Sequence, residues 1–325
     1  MTGHVRVTEA GTPDREIQLS LVLRSFAPDD PGGWAHLIRQ AETMDRTGVD
    51  RLAVSDHVVF GEDLTAYGRP EIGGQAGGKQ PTGPDGHWLE PMTLLSLLAG
   101  RTSRIRLATN ILIAALRRPV ILAKSASTLD VLSRGRLDLG VGVGWQREEY
   151  EAAGLDFDSR GEALDHTLAV CQALWMQQRA RFSSSTLSFE RLHMMPKPLQ
   201  AQGIPIWVSG TVNPRVVRRL ARFGTGWIPW GEAAADITSG IARMRDELNR
   251  VGRDPTDLQV VGILQTVARR DGKLDVARTM LEVPRLVAAG VTDVRLNLPV
   301  PDDSQEHFDQ LSAVVSAFRM ATGRA

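Results

Sequence analysis

Short apolar runs and longer amphipathic segments alternate along the whole chain. Most of the short runs are nearly continuous rather than alternating, which is typical of parallel strands buried on both faces. They predict strands at 17–25, 51–57, 105–113, 136–144, 205–210, 226–230, 258–266 and 293–299. The segments between them have a helical period and predict helices near 33–47, 90–101, 119–133, 160–178, 213–223, 232–250, 275–288 and 303–321.

Eight strands that are each followed by a helix, in a chain of 325 residues, predict an α/β fold, a (β/α)8 TIM barrel with insertions. The alternative is a doubly wound open sheet, which usually has fewer strands or a clear second domain. We expect residues 1–16 to form a flexible extension and 17–325 to form one barrel domain.

Segment 60–89 breaks the regular spacing because it is rich in glycine and proline and has neither a helical nor a strand period. It follows the second strand and therefore belongs to the carboxyl-terminal face, where the active sites of TIM barrels lie. Long irregular loops in compact domains are usually functional. We expect this segment to be an active-site insertion loop. Segment 179–204 is expected to hold a short extra strand and a proline-rich approach to the fifth strand.

Composition narrows the class of protein. The 38 basic and 38 acidic residues balance, which argues against nucleic-acid binding. The single cysteine, Cys171, is expected to pack in the core, and it leaves no disulfide framework. No run of 18 apolar residues predicts a membrane span, and the first residues lack a signal-peptide pattern. We therefore expect a cytoplasmic protein that acts on a small molecule. No cluster of metal ligands stands out.

A glycine run, "GVGVG" at 140–144, ends the fourth strand. A dinucleotide-binding loop needs the spacing G-x-G-x-x-G, and Trp145 stands where its third glycine belongs. The spacing therefore argues against that loop. Two interpretations remain: the glycines allow close packing of the backbone, or they leave bare backbone against which a flat cofactor lies.

The second strand ends in Asp56 and His57, at the face where a barrel active site forms. Histidine can carry a proton near neutral pH, and Asp56 is placed in sequence to orient it. The alternative is that Asp56 caps the following loop and His57 bonds a buried carbonyl. Glu148 and Glu149 begin a later helix, and we expect them to be solvated residues that favour the helix dipole.

Polar residues also mark the ends of the third and fifth strands. Thr109 and Asn110 interrupt an apolar strand, which is unfavourable unless they bond a partner. Ser209, Gly210 and Thr211 precede a helix, whose N-terminal N–H groups can bind a phosphate. The alternative is ordinary helix capping by Thr211 or Asn213.

In their order and spacing, several stretches resemble the bacterial luciferase-like monooxygenase superfamily, and within it the deazaflavin (coenzyme F420)-dependent oxidoreductases. The resemblance runs from about residue 17 to 321. It rests on "VSDH" (54–57), "WLEPMTLLSLLAGRTSRIRLATNILI" (88–113), "RRPVILAKSASTLDVLSRGRLDLGVGVGWQREEYEAAG" (117–154), "SRGEALDHTL" (159–168), "PKPLQAQGIPIWVSG" (196–210) and "GTGWIPW" (224–230).

This resemblance implies a barrel that binds coenzyme F420, or alternatively FMN, at its carboxyl-terminal mouth. It implies a non-prolyl cis peptide at Asn110–Ile111, which with Leu112 would support the ring. It places the cofactor beside Gly142, Val143 and Gly144, and the cofactor phosphate at Ser209, Gly210 and Thr211. His57 matches a histidine that acts as a base in some dehydrogenases of the family, with Asp56 beside it. The sugar-phosphate dehydrogenase branch has an acid where this chain has Trp145, which argues against such a substrate.

The resemblance leaves three functions open. The first is an F420-dependent oxidoreductase that transfers a hydride between the deazaflavin and a small organic substrate. The second is an FMN-dependent monooxygenase that uses O2 and reduced flavin from a partner reductase. The third is a barrel that has lost its cofactor and acts as a binding partner. Relatives are often dimers, so we expect a homodimer.

Overall fold

The computed structural model describes residues 16–301 and 303–324. The predicted extension, except for residue 16, lies outside the described residues. The strands are β1 (Gln18–Val22), β2 (Phe26–Ala27), β3 (Arg51–Val54), β4 (His87–Trp88), β5 (Arg106–Thr109), β6 (Leu137–Val141), β7 (Ala180–Ser183), β8 (Ser188–Leu192), β9 (Ile206–Gly210), β10 (Gly226–Pro229), β11 (Gln259–Ile263) and β12 (Asp293–Leu296).

The helices are α1 (Ala35–Thr47), α2 (Pro91–Arg101), α3 (Pro119–Leu132), α4 (Arg147–Ala152), α5 (Arg160–Met176), α6 (Pro214–Phe223), α7 (Glu232–Ala235), α8 (Ile237–Arg250), α9 (Val276–Met280), α10 (Val283–Ala289) and α11 (Ser304–Thr322). Two predicted helices are divided in the structure, 232–250 into α7 and α8 and 275–288 into α9 and α10. Five of the described helices begin at a side-chain cap, which accepts a backbone N–H of the first turn. The caps are Glu90, Asn213, Asp236, Asp275 and Asp303.

Eight parallel strands close into a barrel in the order β1-β12-β11-β10-β9-β6-β5-β3. This order confirms the predicted TIM barrel, because each strand pairs with the barrel strands before and after it in the chain. Strands β3, β6, β10 and β12 are buried along their whole length, as their nearly continuous apolar sequences predict. Cys171 is buried in the core, in agreement with the sequence.

Charged residues fill part of the barrel interior. Arg51 on β3 bonds Asp138 on β6 at 2.9 Å and also Asp293 on β12, so it links three strands. Arg295 on β12 lies near this cluster and donates to Ser20 Oγ at 3.0 Å. Buried ions are tolerated only when they are paired and hydrogen-bonded, and this cluster satisfies that requirement.

The two insertions extend this barrel in different places. Segment 179–204 holds the antiparallel β7–β8 hairpin, where the sequence predicted a single extra strand, followed by a cis Met195–Pro196 bond. In segment 60–89, β4 pairs with β2, and two short 3₁₀ turns precede it. Trp230 Nε1 donates to the Gly74 carbonyl at 3.0 Å, and Arg160 donates to the Ile72 carbonyl at 3.2 Å. These bonds hold the loop against residues that follow β10 and begin α5.

No helix in the described ranges is long and apolar enough to cross a bilayer.

Candidate active site

The residues singled out from the sequence follow four barrel strands, at the same end of the barrel. His57 follows β3, Asn110–Leu112 follow β5, Gly142–Gly144 follow β6, and Ser209–Thr211 end or follow β9. In the barrel these strands are neighbours in the order β3, β5, β6 and β9. The four segments therefore form one continuous rim at the carboxyl-terminal mouth, where barrel active sites are built.

His57 stands in an aromatic pocket. Its ring lies 4.6 Å from Phe60, 4.8 Å from Trp88 in an edge-on arrangement, and 5.7 Å from Trp145, measured between ring centroids. The His57 side chain is 9% exposed. Phe60 and Trp88 come from the insertion loop and its end, so this loop builds the wall of the pocket as well as covering it.

Glu149 is the acidic partner of His57. Its Oε2 atom lies 3.3 Å from His57 Nδ1, and its Oε1 atom accepts the Val58 N–H at 2.7 Å. The carboxylate is fully buried. The expectation that Glu149 is a solvated helix residue is therefore wrong, because α4 turns this side chain inwards beneath the residues that follow β3.

Asp56 does not orient His57, so the predicted pairing of these two residues is wrong. Its carboxylate bonds both terminal nitrogens of Arg117 and accepts the Ile113 N–H at 2.8 Å. Burial raises the pKa of Asp56, although the bonds to Arg117 oppose the shift. Burial alone would lower the pKa of Arg117. The bonds to Asp56 and Glu90 outweigh the effect of burial, so the pKa of Arg117 is raised. Asp56 therefore ties the end of β3 to the chain after β5.

The Asn110–Ile111 peptide bond is cis, as the resemblance implied. The Asn110 side chain accepts a hydrogen bond from Arg295 at 2.8 Å, which connects it to the charged cluster inside the barrel. Burial and the nearby Arg51 charge lower the pKa of Arg295 to about 9, so it stays positively charged at neutral pH. Leu112 rejoins β6 through a bond to the Gly140 carbonyl at 2.7 Å.

Internal packing explains the glycines of the run 140–144. A Cβ atom at Gly140 would lie 2.1 Å from the Thr109 carbonyl oxygen, and one at Gly142 would lie 2.8 Å from Ile111 Cδ1. Gly144 has φ +69° and faces Ile113. Gly140 therefore needs glycine for close packing against backbone, and Gly144 needs it for its left-handed conformation. Contact of the run with a cofactor stays a prediction.

The loop after β9 contains backbone donors without a protein acceptor. Asn213 caps α6 by accepting from Arg215 N and Val216 N, so ordinary capping accounts for these two groups. Across the described part of the chain, no hydrogen bond takes up the N–H groups of Thr211, Val212 and Asn213. Gly210, at φ +147°, turns the chain into this loop. Three consecutive free N–H groups are typical of an anion-binding loop.

Other buried polar groups near the mouth are also unpaired. Ser25 Oγ, which follows β1, and Trp145 Nε1 have no hydrogen-bond partner among the described residues, and the same holds for both amide atoms of Gln146. Trp145 also lies 5.5 Å from the Tyr67 ring of the insertion loop. Buried polar groups are nearly always bonded, so these positions indicate where a ligand or ordered water binds.

Sequence reasoning missed Glu149 as part of this site, whereas Phe60 lies in the segment 60–89 that was predicted to be an active-site loop. Glu149 is 92 residues from His57 in the chain, and no local pattern links the two. No group of three or more potential metal ligands occurs within residues 16–301 and 303–324. The site is thus a histidine–carboxylate pair in an aromatic pocket beside a loop whose backbone N–H groups have no acceptor among the described residues.

A closed parallel barrel with this rim belongs to the TIM-barrel proteins whose site lies at the carboxyl-terminal mouth. A family model for luciferase-like monooxygenases matches residues 17–283, and the chain belongs to this family.

Two of the curated relatives are mycobacterial proteins. An uncharacterized protein of Mycobacterium tuberculosis is 33% identical over 227 residues, which cover 69% of this chain and 76% of that protein. A phthiodiolone/phenolphthiodiolone dimycocerosates ketoreductase of Mycobacterium kansasii is 30% identical over 250 residues, which cover 74% of this chain and 65% of that protein.

Solved structures share the fold across two kinds of cofactor. An F420-dependent secondary alcohol dehydrogenase, in complex with an F420–acetone adduct, has a TM-score of 0.72 at 16% identity and covers 94% of this chain and 99% of its own. The FMN complex of a type II Baeyer–Villiger monooxygenase component from Pseudomonas putida has a TM-score of 0.70 at 13% identity and covers 94% and 98%. These likenesses show the fold alone.

Proposed function

We propose that this protein is a coenzyme F420-dependent oxidoreductase that acts on a small organic substrate, with a ketone and its secondary alcohol as the substrate class. The observation that carries the proposal is His57, a protonatable ring held by a buried carboxylate in an aromatic pocket at the barrel mouth. The ketoreductase relative and the F420-dependent alcohol dehydrogenase fold support the substrate class. Trp145 argues against a sugar phosphate, for the reason given from the sequence.

The residues present fit such a cofactor. The free N–H groups of Thr211, Val212 and Asn213 would hold its phosphate, because successive unbonded N–H groups attract an anion. The unpaired Trp145 indole supplies a donor beside His57. When bound, the deazaflavin supplies or accepts the hydride, since carbon replaces the flavin N5.

This chain's own residues do the remaining work. Phe60, Trp88 and Trp145 keep water from the His57 ring, which strengthens interactions with a polar substrate atom. His57 gives a proton to the oxygen of a ketone, or takes one from the hydroxyl of an alcohol. Asp56 and Arg117 keep the end of β3 and the chain after β5 in fixed relative positions, which orients the two reactants.

An FMN-dependent monooxygenase that receives reduced flavin from a partner reductase is the second candidate. It is favoured by the fold shared with the FMN-bound monooxygenase component. The same anion-binding loop would serve either cofactor, because both carry a phosphate.

Cofactor titration distinguishes these candidates. We expect F420 to raise the melting temperature of the purified protein and to change its ring fluorescence on binding, with saturation at stoichiometric amounts. At a free F420 concentration of roughly 100 times Kd, the expected stabilisation is about 2.7 kcal/mol. Tight binding of FMN alone would contradict the F420 proposal and favour the monooxygenase. Binding of neither would contradict both and favour a barrel that has lost its cofactor.

A further inference from the structure

We propose that Glu149 is a positioning residue that fixes the tautomer of His57, with the proton on Nδ1 and the Nε2 atom left free for the substrate. The effect of Glu149 on catalysis rests on the proposed function. The tautomer itself is a property of the protein without any ligand.

The surroundings of Glu149 require a donor at each of its oxygens. The carboxylate is fully buried, and among the described residues no lysine or arginine forms an ion pair with it. Burying a carboxylate without partners is very unfavourable. Its two observed partners are the Val58 N–H at Oε1 and His57 Nδ1 at Oε2. Each oxygen therefore has one partner.

A carboxylate can only accept hydrogen bonds, so the His57 nitrogen that faces it must carry the proton. The Nδ1 atom is that nitrogen, at 3.3 Å. In the neutral ring Nε2 is then a hydrogen-bond acceptor. Among the described residues, none donates a hydrogen bond to it. A proton taken up at Nε2 gives an imidazolium beside the negative charge of Glu149, which stabilises it, as the aspartate does in serine-protease triads.

Other titratable groups near the pair are already engaged. Asp56 is bound to Arg117. The Tyr150 hydroxyl donates to the Val143 carbonyl at 2.6 Å, and burial raises its pKa, so it stays protonated. Glu149 is therefore left as the group that sets the tautomer of His57.

The substitution Glu149→Gln tests the inference without changing shape. The Val58 N–H needs an acceptor, so the glutamine oxygen stays at that position and its NH2 group faces His57 Nδ1. Two donors cannot bond each other, so Nδ1 must become an acceptor and the proton moves to Nε2. Exposed Glu151 lies on the same helix, and Glu151→Gln is the matched control.

Nitrogen-15 NMR of the imidazole rings reports the tautomer of His57 in the protein without ligand. The His57 signals are assigned as those that disappear in His57→Ala. We expect an Nδ1–H ring in the wild type and in Glu151→Gln, and an Nε2–H ring in Glu149→Gln. With the loaded enzyme, Glu149→Gln should lower kcat at least ~100-fold with little change in KM, and Glu149→Asp should recover part of it.

An Nε2–H ring in the wild type, or an unchanged tautomer and kcat in Glu149→Gln, would overturn the inference. If the wild type binds no F420, the proposed function fails while the NMR result still decides the role of Glu149.

Discussion

At the scale of single residues, two glycines show how differently one added methyl group acts in this molecule. Gly140 lies on β6, where a Cβ would stand 2.1 Å from the Thr109 carbonyl oxygen. Gly100 lies near the end of α2, where a Cβ would meet nothing within 4 Å. Backbone atoms, which cannot move aside, leave no space for a side chain at Gly140, whereas there is space for one at Gly100.

We expect Gly140→Ala to lower the free energy of unfolding by roughly 2–3 kcal/mol, because the methyl group overpacks two adjoining strands. Gly100→Ala should raise it by about 0.5–1 kcal/mol, because alanine reduces the entropy of the unfolded chain. Urea denaturation of both variants measures the difference. Equal shifts of the two midpoints would contradict the packing of β5 against β6.

The chemistry of the rim could be predicted from the sequence only in part. His57 was predicted from its place at the end of the second strand, and the cis peptide at Asn110–Ile111 was implied by the family resemblance. Asp56, the neighbour of His57 in the chain, was predicted to be its partner, whereas in the structure the partner is Glu149. Adjacent residues of a strand end point in different directions, and the long-range contact of α4 with the end of β3 has no local signature.

At the scale of elements, the eight barrel strands and most helices were predictable, because continuous apolar runs and helical periods are strong signals. The predicted strands run past the paired residues, as 105–113 does for β5, since apolar residues continue into the rim. The β7–β8 hairpin was predicted as one strand because its sequence is polar and exposed.

Two neighbouring helices carry large exposed apolar side chains. Ile121 and Leu132 on α3 are 64% and 62% exposed, and their spacing of three turns puts them on one side of the helix. Leu97 on the adjacent α2 is 50% exposed. Large exposed apolar side chains on adjacent helices are candidates for a protein–protein interface. We propose that this face joins two copies of the chain.

Light scattering during size-exclusion chromatography tests the dimer. The expected mass is twice the 35.5 kDa of the chain. Ile121→Glu should shift the protein to the monomer, because a charge would be buried at the interface. Leu281→Glu is the control, since Leu281 is 74% exposed between α9 and α10, away from α2 and α3. A wild-type monomer, or a dimer that Ile121→Glu leaves intact, would argue against this interface.

At the scale of the whole molecule, the rim is held from both sides. Below it, the charged cluster of Arg51, Asp138 and Asp293 reaches Asn110 through Arg295. Above it, the insertion loop is fixed by Trp230 and supplies part of the pocket around His57. A site fixed in this way can hold two reactants in a constant orientation, which is the main requirement of direct transfer between them.

The most direct test of the account is the rate at which the protein oxidises reduced F420 with a ketone in a single turnover. A panel of ketones first identifies the one that the wild type reduces fastest. We expect His57→Ala to lower this rate by about 10²–10⁴-fold while the Kd for F420 stays within a few-fold, because His57 moves the proton and does not hold the cofactor. His193→Ala, at an exposed site after β8, should match the wild type. An unchanged rate in His57→Ala would contradict the account.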